Sequence, residues 1–523
     1  MSAEAPTSVQ MKPTLGLTGV TINAMALIAP GAFLWTTYQI QAVPGSALSM
    51  WAAVFVATAI AMLTAVAYAQ LANRYPEAGA GSSYFFAEAA VLHKEEHRHF
   101  KYARLAKFIV GWASHLYYWV YPGVMVAFMG LVISYIIQTF IPSFGAPLQE
   151  VVVCILFAFI VGFISYIGVT GSTIANIIIN IVQIIALVAF SILAIIYRVT
   201  HPAVHYLYSN PLSVLVPHSF SGLLYQSTIA ILLVVGFESA TALAAEAKNP
   251  QRDIPRGVLL SLVIQAVVFY LFEYFATNFF LNTGYASGSG STLVTGFAAA
   301  NKSSAPIGDM AKIIGNALLG GNGVTFAALI AITVVLALIG TTLSCLNTGV
   351  RVTYAMGKDT ELPTVFGFLH GRFRTPHVGV IVLTVLSAVI GSYGVINADH
   401  LTQVTLISNI GTFLLYGMTC LICIVAFAGV AGRNILNTLV FPGLGAILNV
   451  FMLFAVLYFS ISGGGTIQSD TIIAVGISVA WLVIGFGYLY IRKLTTGTPI
   501  FHSEDHKENL TEQDVALGAS GGE

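Results

Sequence analysis

Long apolar runs separated by short polar clusters repeat along the whole 523-residue chain. Runs of about 18 or more residues read as helices that cross a bilayer, because roughly 20 residues of helix match its hydrocarbon thickness of about 30 Å. The pattern predicts about twelve such spans, at 17–41, 47–71, 107–139, 150–170, 174–198, 222–245, 256–281, 324–350, 377–395, 402–429, 434–461 and 471–492. The third is long enough to require tilt. A break such as "VPGS" at 43–46 is a short loop. A longer one, 282–323, is rich in Gly and Ser, and its short apolar stretches read as lying on the surface. Residues 1–14 form a polar cytoplasmic segment and 15–493 a membrane domain. Residues 494–523 form an acidic tail that reads as solvated and disordered.

Composition agrees with the pattern. Hydrophobic residues make up 57% of the chain and charged residues 8%, against about 25% charged in a soluble chain. The solvent implied is lipid. Formal net charge is zero, which argues neither for nor against an acidic partner, and no nucleic-acid partner is expected. Cys154, Cys345, Cys420 and Cys423 all lie in apolar runs and read as small core residues. Cys420 and Cys423 have C-x-x-C spacing, but no second pair completes a zinc site. No cofactor is called for. The first apolar run is too long for the core of a removable signal peptide.

Charge placement sets the orientation. Twelve spans put both termini on one side. With that side cytoplasmic, every Lys and Arg falls inside except Arg198, Lys302 and Lys312. This is the positive-inside pattern, and a missed span would have scattered it. The chain is therefore expected to be a multi-pass protein of the plasma membrane with both termini cytoplasmic, and a bacterial inner membrane is the expected setting. Its basic loop "HKEEHRHFKYARLAK" is placed to touch anionic lipid heads. "HKEEH" at 93–97 also matches a zinc-peptidase pattern, but it has no third ligand and reads as a hydrated face.

Two spans carry interruptions at mid-membrane. Span 1 contains Pro30 and Gly31 within "LIAPGAFLW", a residue without an N–H beside the weakest ordinary helix former. Span 6 contains Gly236 followed by Glu238, Ser239 and Thr241. A carboxylate at the bilayer centre costs about 2.5–3.5 kcal/mol on insertion scales, so such groups face a cavity or a partner. A substrate or proton site is the preferred reading of Glu238, and a bonded structural carboxyl is the alternative. Irregular backbone at this depth survives only where it lines a protein cavity. The exposed helix N-terminus there suits a carboxylate. A continuous, kinked helix is the plainer reading of Pro30 and Gly31.

Other polar groups lie within the spans. Glu273 in span 7 sits nearer the outer face, either as a bonded structural carboxyl or in an ion path. Thr341 and Thr342, with Ser344, could help hold Na⁺ in span 8, although such hydroxyls more often bond their own helix. His115 reads as a packing residue. Asn409 and Thr412 in span 10 are within reach of a cavity.

Four stretches resemble the amino acid–polyamine–organocation (APC) permeases: "LIAPGAF" at 27–33, "YPEAGAGSSYFFAEA" at 75–89, "GFESATALAAEAKNPQRDIPRGV" at 236–258, and "RVTYAMGKDTELP" at 351–363 with "HGRFRTPHVGV" at 370–380. The resemblance covers nearly the whole chain. It implies an all-α membrane protein with a five-plus-five inverted repeat, broken helices 1 and 6, and a central site bounded by helices 1, 3, 6, 8 and 10. On this chain the implied substrate-binding breaks are Ile28, Ala29, Pro30, Gly31 and Ala32, and Gly236, Phe237, Glu238 and Ser239. Three departures stand out. Pro30 occupies the middle of a break that is often Gly-Ser-Gly in members binding α-amino acids. Leu232 stands where such members often place an aromatic gate. Span 5 lacks the Lys of many proton-coupled members, its nearest polar groups being Asn180 and Gln183.

The expectation is a secondary active permease that moves an amino acid by alternating access and not an enzyme. Coupling to H⁺ is favoured over Na⁺. Glu238 is the first candidate carrier, ahead of Thr341, Thr342 and Glu273. A polyamine or other organic amine is the alternative substrate. A sensor that moves nothing is the alternative of another class, although it need not keep both breaks and a buried Glu. No nucleophile–base pair or metal set inside the spans supports an intramembrane enzyme.

Overall fold

A computed structural model describes residues 15–28, 30–76, 83–95, 100–168, 173–287, 293–373 and 375–497. The N-terminal segment, nearly all of the acidic tail, Ala29 and part of "HKEEH" lie outside these residues. Among the described residues, eleven helices are long and apolar enough to cross a membrane. The first expected span is described on either side of Ala29, as the helical residues α1 (Leu17–Ile28) and α2 (Pro30–Gln41), and is additional to that count.

The remaining elements follow the predicted order. Span 2 is α3 (Met50–Arg74), followed by a short helix α4 (Ser83–Glu95). Span 3 is α5 (Phe100–Tyr118) and α6 (Tyr121–Phe140), which meet at a one-turn irregularity before Pro122. Spans 4 and 5 are α7 (Pro147–Tyr166) and α8 (Thr173–Thr200). After a small helix α9 (Pro211–Leu215), span 6 begins as α10 (Phe220–Ala230) and ends as a 3₁₀ helix, Phe237–Glu246. Span 7 is α11 (Pro250–Leu262), a π-helical stretch (Val263–Tyr270) and α12 (Leu271–Phe280).

The 282–323 segment corrects an expectation. It does not lie loosely on the surface. It forms a two-residue hairpin, β1 (Ala286–Ser287) with β2 (Val294–Thr295), and two helices, α13 (Gly296–Lys302) and α14 (Pro306–Leu318). Ile307, Met310 and Ile314 of α14 are buried. Gly308 lets α14 approach closely, since a Cβ there would stand 2.6 Å from both the Trp35 and Tyr135 rings. Spans 8 to 12 are α15 (Gly323–Lys358), α16 (His377–Gly394), α17 (Ala398–Phe427), α18 (Phe441–Ser462) and α19 (Gly465–Thr496). The eighth and twelfth run several residues beyond the expected ends, because polar residues continue a helix that packing supports.

The basic end of the bundle is tied shut. Leu15 N–H donates to Glu246 O at 2.9 Å, and Lys248 N–H donates to Leu15 O at 2.8 Å, joining the start of span 1 to the end of span 6. Beside them, buried Lys107 of α5 pairs with Glu88 of α4 and, at 2.6 Å, with Asp359 after α15. Tyr84 donates to Asp359 at 2.9 Å and to Glu361 at 3.0 Å. Arg492 of α19 holds Thr360 O at 2.8 Å. One ammonium thus serves carboxylates from two chain segments. Replacing Lys107 with Met should cost about 2–4 kcal/mol, somewhat under the figure for a fully buried pair because Asp359 keeps 22% side-chain exposure. The check is thermal unfolding of the purified protein. An unchanged melting temperature would show that water, and not Lys107, balances these carboxylates.

Candidate functional site

The break in span 6 is a designed turn. Gly236 has φ 111°, a left-handed conformation that side chains disfavour. Its N–H, released from the helix, donates to Glu238 Oε2 at 2.9 Å. Ser239 N–H donates to Gly236 O at 3.0 Å, and the Thr241 hydroxyl donates to Glu238 O at 2.7 Å. The carboxylate two residues on therefore caps the break that exposes it.

A second donor comes from span 10. The Tyr416 hydroxyl of α17 donates to the same Oε2 at 2.8 Å. Glu238 is fully buried, and its Oε1 has no hydrogen-bond partner. The Tyr117 hydroxyl of α5 stands next to the carboxyl, without meeting hydrogen-bond geometry there. Tyr121 of α6 and Cys345 of α15 are further neighbours of the carboxyl. Phe33 of α2 packs against Tyr121 with ring centroids 6.0 Å apart. Residues from spans 1, 3, 6, 8 and 10 thus converge around one carboxyl. On the basic side Phe237, Tyr416 and Tyr68 close over it, with Phe237 5.3 Å from Tyr416 and 5.8 Å from Tyr68. Tyr68 is fixed in turn by Ser83 at 2.6 Å, and Ser83 by Thr419 at 2.7 Å.

The other expected residues are placed variously. Ala29 lies outside the described residues, as do the side chains of Ile28 and Pro30. Ala32 is buried, and its carbonyl accepts from Thr36 at 2.8 Å. Gly31 faces α8: a Cβ there would stand 3.0 Å from Leu187 and 3.4 Å from the Gln183 amide oxygen. Its smallness serves helix packing on that face. Ser239 is half-buried. Thr341 and Thr342 are buried, and each hydroxyl donates one turn back, to Ala337 O at 3.0 Å and Leu338 O at 2.6 Å.

Glu273 is not brought into contact with Glu238. It is fully buried in α12, and neither oxygen has a hydrogen-bond partner. Tyr270 neighbours both Glu273 and Tyr121, and Tyr121 neighbours Glu238. Asn409 donates to Thr228 O at 2.8 Å, steadying α10 just before its break. Thr412 bonds Ser408 O of its own helix. His115 stacks on Trp119 at 4.6 Å, away from this cluster. Sequence reasoning passed over Tyr68, Tyr117, Tyr121 and Tyr416. The available signal was a phenol inside an apolar run, which needs a partner for its hydroxyl.

The amino acid permease family matches residues 19–497. The chain belongs to that family. Over 432 residues it is 24% identical to the branched-chain amino acid permease BcaP of Bacillus subtilis, covering 79% of this chain and 81% of the relative. It is 25% identical over 423 residues to the low-affinity putrescine importer PlaP of Escherichia coli K12, covering 78% and 79%. A shorter match, 32% over 174 residues, joins 33% of this chain to 32% of a Lactococcus lactis BcaP. The permease is thus an all-helical membrane transporter of amino acids or amines and not an enzyme.

Gly31 provides a test of its packing role in the permease. Gly31→Leu should abolish uptake by colliding with Leu187, and adding Leu187→Ala should restore part of it. Failure of the double variant to recover would place the requirement for glycine on the other, cavity-facing side.

Proposed function

We propose that this permease moves an amino acid with an apolar side chain across the plasma membrane by alternating access, coupled to protons through Glu238. The observation that carries the reading is the half-satisfied carboxyl. Oε2 takes two donors and Oε1 takes none in a fully buried site. A neutral acid fits this arrangement, with its proton on Oε1. Ionisation would require a further donor, and the Tyr117 hydroxyl is the nearest candidate. A carboxyl that changes charge between two states of the protein can carry a proton.

Substrate would sit above Glu238. With span 1 interrupted at Pro30, the amides of Gly31, Ala32 and Phe33 would be without intrahelical acceptors and would suit an α-carboxylate. Phe33, Tyr121, Phe128 and Phe237 supply aromatic walls for an apolar side chain. The likeness to the branched-chain relative supports the same choice. Spans 1–5 and 6–10 would form two inverted halves, since the breaks fall five spans apart. Glu273 would be a second proton station, connected through Tyr270 and Tyr121. A Na⁺ site at Thr341 and Thr342 is the lesser reading, because both hydroxyls already serve their own helix.

A cationic amine is the second reading. It is favoured by Pro30, which removes one donor to a carboxylate, and by the likeness to the putrescine importer. In that case Glu238 pairs with the ammonium itself.

Glu238→Gln separates the two readings in proteoliposomes. Under proton coupling the variant should keep leucine exchange and lose accumulation driven by a pH gradient. Under amine recognition it should weaken putrescine binding by about 10-fold or more, the loss expected from about 1–3 kcal/mol at an unpaired buried group. Wild-type accumulation by the variant would leave Glu238 as a structural cap only.

The basic end is assigned to the cytoplasm, with both termini there, in the plasma membrane of a bacterium. Reporter fusions at Asn301 and Glu508 should report opposite sides. Reports from the same side would overturn this orientation.

A further inference from the structure

A cavity of about 230 Å³ lies among the membrane-spanning helices, walled by α5 and the turn before α6 and by α16, α17 and α19. None of the residues gathered around Glu238 lines it. An apolar cavity of about 150 Å³ is enough to hold benzene, so this one has room for two fused rings. Ile477 of its wall is 49% exposed. Val385 and Val389, next in sequence to the wall residues Leu386 and Ile390, are 47% and 61% exposed. Residues exposed within a membrane-spanning helix face lipid, so the cavity opens sideways towards the bilayer.

The wall carries three side chains with polar atoms. The Trp119 indole N–H donates to Thr353 Oγ1 at 2.8 Å, and that of Trp481 to Trp112 O at 3.1 Å. The third, His115, is fully buried, and neither of its ring nitrogens has a hydrogen-bond partner. A neutral imidazole brings one N–H and one lone pair, and both need partners. His115 stands about 15 Å of helix from Leu105, where its span begins. That is about half of a hydrocarbon layer roughly 30 Å thick. An acyl chain entering from the lipid would fill the space and leave the imidazole bare. Water would serve the imidazole and leave apolar walls wet. The walls favour a flat ligand, since His115 stacks on Trp119 with centroids 4.6 Å apart and Trp481 lies 5.2 Å from Trp119.

We propose that this cavity is a binding site for a flat, apolar ring compound dissolved in the bilayer and carrying one hydroxyl or carbonyl oxygen, its rings against Trp119 and Trp481 and its oxygen hydrogen-bonded to His115. One molecule then fills the space and satisfies the imidazole. The inference does not depend on what the permease carries. It does bear on the Glu238 cluster, because the same α5 carries Tyr117 and the same α17 carries Tyr416. Those two helices touch closely beside the cavity: a Cβ on Gly411 of α17 would stand 2.6 Å from Leu116 Cβ.

The test is equilibrium binding of 2-naphthol to the full-length protein in lipid nanodiscs, with binding to empty discs subtracted and naphthalene as the probe of equal shape without an oxygen. Wild type should bind one 2-naphthol per chain, saturably, and naphthalene about 10-fold more weakly or worse, the loss expected when a buried hydrogen-bonding group goes unpartnered. His115→Phe keeps the stacked ring and should bind the two probes equally. Leu386→Trp changes a half-buried wall residue, puts an indole in the cavity and should bind neither. Melting temperatures show that each variant is folded, and should either fail to fold, the wild-type preference and the other variant still decide. Absence of saturable 2-naphthol binding in wild type would overturn the site. So would equal binding of the two probes by wild type, a preference for 2-naphthol that survives His115→Phe, or binding that survives Leu386→Trp.

Discussion

The structure depends on one hydrogen-bonded turn, that of Gly236 with Glu238. A helix interrupted in the membrane frees N–H and C=O groups that lipid cannot satisfy, and each costs several kcal/mol if left bare. Gly236 makes the interruption possible through its positive φ, and the Glu238 carboxyl takes up the N–H it releases. The group that pays for the break is thus the group the break displays. Tyr416 joins span 10 to the same oxygen. A shift of charge at Glu238 would therefore alter the turn, the tyrosine and the packing of Phe237 at once. This is the kind of coupling a proton-driven cycle needs, because packed interiors switch between discrete arrangements and do not deform smoothly.

The two ends of the molecule differ in how they are closed. At the basic end, backbone bonds between Leu15, Glu246 and Lys248 are reinforced by Lys107 with its carboxylates and by the Tyr68, Phe237 and Tyr416 rings. At the other end, residues of α2, α6, α7 and α13 line an open polar cavity. Asp309 of α14 lies on that second side. Burial raises its carboxyl above the usual range, while bonds from Ser303 and Tyr285 and the charge of Lys312 work against this. The helical segment 296–318 is therefore seated by specific bonds, including Ser303 to Asp309 at 2.5 Å, although its sequence reads as a loop.

Much of the architecture was legible because the bilayer imposes so few solutions. Run length, the position of Lys and Arg, and a Pro-Gly pair at mid-span each reflect a cost measured in kcal/mol, and each marks the sequence directly. The break at Gly236 falls where those costs predicted. What stayed hidden depends on which helices become neighbours. Gly31 was read from its place beside Pro30, and the side chain that its bare face meets, Leu187, comes from a helix more than 150 residues away. The 282–323 segment lacks an apolar run long enough to announce itself, but α14 gains its order from Trp35 and Tyr135. Neither partner can be deduced from local pattern.

The tyrosines explain both the economy of the site and its silence in the sequence. An ionisable donor placed opposite Glu238 would carry its own insertion cost of a few kcal/mol at mid-membrane. A phenol brings an apolar body and one O–H, so it enters an apolar helix cheaply and still satisfies a carboxylate. Tyr68, Tyr117, Tyr121, Tyr270 and Tyr416 are all buried in such helices. In composition each counts as one more hydrophobic residue, and a chain with 8% charge looks short of chemistry. Around Glu238 and Glu273 the same residues form a polar interior built almost without charge. Two carboxyls and a set of hydroxyls thus place titratable groups deep inside a protein that must first satisfy the membrane.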